Sequence, residues 1–165
     1  MTRLGCVLAG GQSSRFGSDK ALALLAGESL LDRAVASLSR WCDEVVVVGR
    51  ADGPVPTLPD WPRPGLGPLG GIAAALRHAA AQGHGEVLTC GVDSLDLPPD
   101  LPALLAPAPA CLASQPVIGL WPAEAAGAVE AILAGDGRHS LRALAESTGA
   151  RAVKTPREPA NINTP

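Results

Sequence analysis

Short apolar runs alternate with segments of helical periodicity along most of the chain, and this pattern predicts an order of elements. Apolar runs rich in valine and leucine are typical of strands buried on both faces of a sheet. They predict strands over 4–9, 44–48, 86–90, 117–121 and 151–154. Apolar side chains at helical spacing predict helices over 30–42, 71–81, 123–134 and 140–147, with a short helix opening at Pro98-Pro99. Ser29 is expected to cap the first helix.

This alternation indicates an α/β fold. We expect a single domain over 1–165 with a Rossmann-like, mostly parallel sheet flanked by helices on both faces. Ligands of such sheets bind at the carboxyl ends of the strands, so candidate functional residues should lie where strands end. The Pro- and Gly-rich segment over 54–70 joins two elements of the core, and we interpret it as an ordered active-site loop.

Composition and charge exclude several classes of partner. Apolar residues make up 47% of the chain, and the net charge of −3 favours neither nucleic acid nor an anionic membrane surface. No run of about 18 apolar residues predicts a membrane span, and the first residues lack a signal-peptide layout. Cys6, Cys42 and Cys90 lie in apolar runs without a Cys-x-x-Cys pair, as expected of buried thiols. A cytoplasmic location is expected.

The most informative segment follows the first predicted strand, where residues 8–20 read LAGGQSSRFGSDK. Paired glycines, Gly10 and Gly11, allow the backbone to approach a ligand closely, and their N–H groups can converge on an anion. Arg15 and Lys20 add a fork-shaped donor and a point charge to the same loop. The segment therefore predicts a loop that binds the phosphates of a nucleotide.

Two other glycine-rich phosphate motifs do not fit. In a P-loop the lysine directly follows a glycine and precedes Ser or Thr, whereas Ser18 and Asp19 separate Gly17 from Lys20, and Ala21 follows it. A Gly-x-Gly-x-x-Gly match over 65–70 follows prolines instead of a strand and contains a proline itself. We reject both motifs, and an ordinary surface loop is the alternative for residues 8–20.

Carboxylates follow the strand predicted over 86–90, in the segment CGVDSLDLPPD. A carboxylate just beyond a buried strand is well placed to hold Mg²⁺, which takes one or two carboxylates together with substrate phosphates. On chemistry alone Asp93 and Asp96 both qualify, whereas Asp100 is expected to be a charge in the first turn of a helix. A simple turn residue is the alternative for Asp93.

Two further segments contain polar residues suited to a ligand. Asp60 precedes the turn Gly-Pro-Leu-Gly-Gly over 67–71, where the helix over 71–81 would begin beside the ligand with its N–H groups available. The segment NINTP over 161–165 contains Asn161 and Asn163, whose amide oxygens are acceptable ligands for a hard cation. Both segments add candidates to the same predicted site.

Together these segments resemble the signatures of the molybdenum cofactor guanylyltransferases, a branch of a broad nucleotidyltransferase superfamily. The pattern LAGGxSxRxGxDK matches residues 8–20, and the turn Gly-Pro-Leu-x-Gly with an upstream aspartate matches 60–71. An aspartate before Pro-Pro-Asp matches 93–100, and Asn-x-Asn-Thr-Pro matches 161–165. The pair Gly10-Gly11 together with Asp19-Lys20 favours the guanylyltransferase branch over cytidylyltransferases, which more often have Ala-Gly at the first pair.

The resemblance implies a set of site residues. It implies catalytic roles for Arg15, Lys20 and Asp93, and Mg²⁺ held by Asp93 and Asn163, with Asn161 as the second candidate amide. The implied nucleotide contacts are Leu8, Ala9, Gly10, Gly11, Lys20, Asp60, Gly70 and Asp93. Asp60 can accept hydrogen bonds from the N1–H and amino groups of guanine or bind ribose, and a solvated turn residue is the alternative.

The resemblance also implies the reaction. A phosphate oxygen of molybdopterin carrying molybdenum would attack the α-phosphorus of GTP, and Arg15 and Lys20 would stabilise the charge on the departing pyrophosphate. The expected partners are GTP, this acceptor and other proteins of the cofactor pathway. No motif over 101–120 identifies residues that bind the acceptor.

Two alternatives remain open. One is a relative that uses CTP or acts on a sugar phosphate. The other is a nucleotide-binding adaptor without chemistry, because the resembling proteins continue into a helix after Asn-x-Asn-Thr-Pro whereas this sequence ends at Pro165.

Overall fold

Strands and helices alternate along the described part of the chain, which comprises residues 2–9, 24–25, 28–155 and 160–161 of a computed structural model. The strands are Thr2–Leu8 (β1), Leu24–Leu25 (β2), Glu28–Ser29 (β3), Glu44–Val48 (β4), Thr57–Leu58 (β5), His84–Gly91 (β6), Ser94–Leu95 (β7), Ala110–Leu112 (β8), Gly119–Pro122 (β9), Arg151–Val153 (β10) and Ala160–Asn161 (β11). The helices are Leu30–Ser39 (α1), Pro68–Gln82 (α2), Leu101–Leu105 (α3), Ala126–Ala134 (α4) and Leu141–Thr148 (α5), with a 3₁₀ turn over Ala123–Ala125.

The central sheet has the strand order β10-β8-β9-β6-β1-β4-β5. β1 lies between β4 and β6 and is parallel to both, with Cys6 opposite Val46 on one side and Thr89 on the other. β5 is parallel to β4 and β10 to β8, whereas β9 runs antiparallel to both β6 and β8. The prediction of a mostly parallel sheet is therefore confirmed, and the carboxyl ends of β1, β4, β5, β6, β8 and β10 lie at one edge.

Alternate side chains of the sheet enter two separate cores, because successive strand residues point to opposite faces. Val45 and Val47 pack on one face with apolar residues of α1 and α3. Val46 and Val48 pack on the other face with residues of α2, α4 and α5. Helices thus cover both faces, as the pattern of apolar runs predicts.

Several helix boundaries differ from the sequence-based predictions. α2 begins at Pro68 instead of residue 71, since proline is favoured in a first turn. α1 ends at Ser39 instead of residue 42. α3 begins only at Leu101, so Asp100 lies at the N-cap without a capping hydrogen bond, and its expected place in a first helical turn is wrong.

The cysteine side chains are unpaired thiols. Cys6 and Cys90 are buried, as predicted, and Cys111 is buried as well. Burial raises the pKa of Cys90 to about 12 and raises that of Cys6 further. Cys42 is only partly exposed, and burial again raises its pKa, to about 12. These thiols are therefore protonated at neutral pH and serve as packing groups.

A polar cluster joins the amino ends of the central strands. His84 Nε2 lies 2.9 Å from Glu44 Oε1, and His78 Nε2 lies 3.0 Å from Glu44 Oε2. Hydrogen bonds from His78 and His84 hold the pKa of Glu44 below its usual range. Within the described residues, no group of three His, Cys, Asp or Glu side chains is arranged to hold a metal ion. This cluster lies at the opposite end of the sheet from the predicted site and ties strand ends together.

None of the described helices is both long and apolar enough to cross a membrane.

Candidate active site

The loops after three neighbouring strands leave the sheet at one point. The backbone N–H of Ala9 donates to the carbonyl oxygen of Val48 at 2.9 Å, and that of Val92 donates to the carbonyl oxygen of Leu8 at 3.3 Å. The ends of β1, β4 and β6 are thereby held side by side. Leu8 and Ala9, both predicted nucleotide contacts, lie at this junction. Gly10, Gly11, Arg15 and Lys20 lie outside the described residues.

A tight turn after β6 positions Asp93. The backbone N–H of Gly91 donates to Ser94 Oγ at 3.3 Å, which closes the turn. A Cβ atom at Gly91 would lie only 2.9 Å from Asp93 Oδ1, so the absence of a side chain there makes room for the carboxylate. Asp93 is half-buried at the strand end. Gly91 and Ser94 thus support the site, although neither was a sequence-based candidate.

Asp60 lies against the first turn of α2. A Cβ atom at Gly70 would lie 3.2 Å from both Cβ and Oδ2 of Asp60. The backbone N–H of Trp61 donates to the carbonyl oxygen of Gly70 at 3.0 Å, which fixes the loop to the helix. The Arg77 guanidinium lies 4.6 Å from the ring centroid of Trp61 and adds a second attachment. The structure therefore brings together two predicted nucleotide contacts, Asp60 and Gly70.

Asp60 also lines a cavity of about 410 Å³ at the ends of β4 and β5. The cavity is lined by Gly49, Arg50, Thr57, Leu58, Asp60 and Pro64, among others. Burial raises the pKa of Asp60 above its usual range. A desolvated carboxylate favours a ligand that donates hydrogen bonds to it, because such bonds stabilise the charged form.

The segment with the two asparagines returns to the same edge. β11 pairs antiparallel with β7, and Asn161 lies opposite Ser94, the residue that follows Asp93. Asn163 lies outside the described residues. The first residue of the Asn-x-Asn-Thr-Pro segment is thus next to the turn that carries Asp93.

The ligand groups at this edge of the sheet suit Mg²⁺ bound together with substrate phosphates. A single carboxylate, Asp93, occupies the room left by Gly91, and the described residues hold no cluster of three acidic or histidine side chains around it. Mg²⁺ keeps several waters and is bound through one or two carboxylates plus substrate phosphates, so a single carboxylate is a suitable protein ligand for it. The site fits an ion that depends on bound phosphates for part of its coordination.

Comparison with known proteins identifies the family to which the chain belongs. The MobA-like NTP transferase domain family matches residues 5–159. This chain belongs to that family. A molybdenum cofactor guanylyltransferase from Acidiphilium cryptum strain JF-5 is 39% identical over 172 residues, covering 96% of this chain and 88% of the relative. One from Rhizobium leguminosarum bv. trifolii strain WSM2304 is 39% identical over 182 residues, covering 98% of this chain and 87% of the relative. The resemblance inferred from the motifs is confirmed, and this MobA-like chain is a nucleotidyltransferase.

Solved structures with the same fold support the architecture. Molybdopterin-guanine dinucleotide biosynthesis protein A from Archaeoglobus fulgidus has a TM-score of 0.73 at 21% identity, covering 92% of this chain and 83% of that one. A 2-C-methyl-D-erythritol 4-phosphate cytidylyltransferase from Thermus thermophilus has a TM-score of 0.60 at 16% identity, covering 97% of this chain and 92% of that one. The MobA-like chain therefore shares its fold with a protein named as a cytidylyltransferase.

Gly71 permits close contact between α2 and the sheet, and its replacement tests that contact. A Cβ atom at Gly71 would lie 2.6 Å from Cγ2 and 3.1 Å from Cβ of buried Val48. Gly71→Ala should lower the free energy of unfolding by about 1–3 kcal/mol, because the first turn of α2 must move away from β4. Thermal unfolding measures this change.

Gly127→Ala is the matched control, since a Cβ atom at Gly127, in α4, would have no neighbour within 4 Å. We expect an unchanged or slightly higher Tm for it. A Gly71→Ala variant as stable as the control would contradict the close packing of α2 on Val48.

Proposed function

We propose that this MobA-like enzyme transfers GMP from GTP to a phosphate of molybdenum-bearing molybdopterin and releases pyrophosphate. The observation that carries the proposal is the placement of Asp60 and Asp93 on either side of the end of β1. The segment over 8–20, called the LAGG loop after its first four residues, begins at this point. The relatives named molybdenum cofactor guanylyltransferases support the choice of substrates. We assign the whole chain, 1–165, to one nucleotidyltransferase domain acting in the cytoplasm.

The nucleotide is proposed to lie across the ends of β4, β5 and β1. Asp60 would accept hydrogen bonds from the N1–H and amino groups of guanine in the cavity that it lines. Backbone groups of Leu8, Ala9, Gly10, Gly11 and Gly70 would contact the nucleotide, with the N-terminal N–H groups of α2 beside it. Guanine presents two adjacent hydrogen-bond donors to the carboxylate of Asp60. Cytosine suits this carboxylate less well, because its ring nitrogen is an acceptor.

The reacting phosphates are proposed to meet at the end of β6. Asp93 and Asn163 would hold Mg²⁺, which supplies neutralising charge for the nucleotide phosphates. An oxygen of the acceptor phosphate forms a bond to the α-phosphorus, while the bond to the β-phosphate oxygen breaks and pyrophosphate leaves with the electron pair. Arg15 and Lys20 stabilise the charge on this leaving group. The acceptor phosphate is ionised at neutral pH, so no general base is required.

Pyrophosphate release tests the proposal. GTP, CTP and ATP are compared with Mg²⁺ present, each with and without molybdenum-loaded molybdopterin. Release that requires both GTP and the acceptor is the expected result. Release with CTP instead would retain the chemistry and contradict the assigned nucleotide. Nucleotide binding without release, in folded protein with active acceptor, would contradict enzymatic function and favour an adaptor.

The raised pKa of Asp60 predicts a pH dependence of GTP binding. The ionised carboxylate is proposed to accept hydrogen bonds from guanine, and burial raises its pKa, so that the protonated form persists to a higher pH than in an exposed aspartate. The KM for GTP should therefore rise as the pH falls through the raised pKa. Asp60→Asn should raise this KM about tenfold at neutral pH and remove the pH dependence. Initial rates measured from acidic to neutral pH provide both values.

The stability of the same variant separates a binding role from a structural one. A carboxyl whose folded-state pKa is raised stabilises the fold at low pH, and this contribution is lost as the pH rises through that pKa. Removing the charge at neutral pH should therefore not lower the Tm. Asp136→Asn, at an exposed position, is the control with unchanged KM and Tm. A wild-type KM for Asp60→Asn would exclude Asp60 from nucleotide recognition.

A further inference from the structure

Beyond the nucleotide cavity, a second cavity opens on the other side of Asp93. It has a volume of about 440 Å³ and is lined by Asp96, Leu97, Pro98, Asp100, Leu104 and Thr155, among others. We propose that this cavity binds the pterin ring system of the acceptor, with the carboxylates of Asp96 and Asp100 as its recognition groups, an assignment that rests on the proposed function above.

The position of the cavity along the sheet edge matches the geometry of the transfer. The nucleotide cavity lies at the ends of β4 and β5, at one side of the sheet, and Asp93 follows β6. The second cavity begins after β7 and includes Thr155, which follows β10 at the opposite side of the sheet. In the order of the strands, Asp93 therefore lies between the two cavities. Attack and departure in phosphoryl transfer are roughly in line, so the acceptor oxygen must reach the α-phosphorus on the side opposite the leaving pyrophosphate. The acceptor therefore needs a binding site separate from the nucleotide cavity.

The side chains that line the cavity favour the pterin end of the acceptor over its phosphate end. A pterin presents adjacent N3–H and 2-amino donors on a flat ring, and a carboxylate can accept both hydrogen bonds at once. Two carboxylates repel a phosphate, so this cavity is unsuited to the anionic end of molybdopterin. Leu97, Leu104 and Pro98 provide apolar contacts for the ring. The cavity thus holds the uncharged, donor-rich end and leaves the phosphate end directed to the edge where Asp93 lies.

The backbone at Asp96 is consistent with a binding role. Asp96 has a φ of 55°, and among the described residues other than glycine no second one has a positive φ. Aspartate is one of the few residues besides glycine that adopt this conformation at single positions, and such positions occur at turns and at ligand sites. Sequence chemistry alone made Asp96 a rival of Asp93 for the metal. In the cavity, Asp96 has a different proposed role, which is recognition of the pterin.

Fluorescence titration with 6-hydroxymethylpterin tests the cavity without turnover. The wild-type protein should bind this pterin, and GTP should not displace it. Asp96→Asn and Asp100→Asn should each weaken binding about tenfold, the loss expected for a charge-assisted hydrogen bond. Leu104→Trp, which fills the cavity, should abolish binding. The exposed Asp136→Asn should bind the pterin as the wild type does, and circular dichroism confirms that each variant is folded.

Steady-state kinetics with molybdopterin provide the second measurement. Asp96→Asn should raise the KM for the acceptor about tenfold, with kcat and the KM for GTP unchanged. Displacement of the pterin by GTP, or wild-type pterin binding and acceptor KM in the double variant D96N/D100N, would overturn the assignment. If the pterin binds with the expected variant effects but no GMP is transferred from GTP, the cavity assignment stands and the proposed function fails.

Discussion

Replacing Asp93 with alanine is expected to lower kcat by about 100-fold or more, the loss typical of a removed charge stabiliser, while the protein stays folded. The carboxylate is the acidic group at the end of β6, held there by the turn that Gly91 and Ser94 form. Alanine removes it without adding atoms to that turn. Rates of pyrophosphate release at saturating GTP and acceptor measure the effect, and thermal unfolding verifies the fold.

Asp96→Ala is the informative control for this experiment, because Asp96 is the other candidate metal ligand in the same segment. We expect it to keep the wild-type kcat and to change the KM for the acceptor. Titration with Mg²⁺ adds a second readout, since Asp93→Glu should retain activity at a higher metal concentration. A near-normal kcat for Asp93→Ala, or a collapse of kcat in Asp96→Ala alone, would remove Asp93 from the proposed role.

The parts of the fold that were predictable are those specified locally. The Val-rich run over 44–48 is a strand with those bounds, and Ser29 caps α1 by accepting a hydrogen bond from the backbone N–H of Asp32 at 3.0 Å. β5 was missed because a strand of two residues has no period to detect. β8 was also missed, although β10, which has the same length of three residues, was predicted. β5 forms because Thr57 pairs with Val47, a contact that depends on tertiary structure. An apolar run also carries no direction, so the antiparallel β9 could not be distinguished from a parallel strand.

In the candidate site, too, locally specified features were predictable and those that depend on tertiary structure were not. Asp60 and Asp93 were located by motifs, since each lies within a short conspicuous segment of the sequence. The contacts that position them were not predictable: Gly91 makes room for the carboxylate of Asp93, and Gly71 packs on Val48. The second cavity joins Asp96 to Thr155, which are far apart in sequence and adjacent only because β10 lies in the same sheet. Long-range packing, invisible to a local pattern, determines these features.

Replacing Lys20 with alanine is expected to lower kcat by about 100-fold, with a smaller effect on the KM for GTP. We propose that the ammonium group stabilises charge that develops on pyrophosphate, and an interaction that strengthens in the transition state affects kcat more than ground-state binding. Lys20→Arg should recover part of the activity, because it retains the charge but changes the geometry of the donors. Single-turnover measurements with saturating acceptor report on the chemical step directly.

The sequence supplies a matched control for this charge, since Lys154 is the second of two lysines in the chain and is exposed. Lys154→Ala changes the net charge by the same amount and should leave kcat unaltered, so a general electrostatic effect would appear in both variants. If raising the GTP concentration restored the full rate of Lys20→Ala, the lysine would contribute to binding alone. The charge on the leaving group would then have to be stabilised by Arg15 and the backbone N–H groups of the LAGG loop.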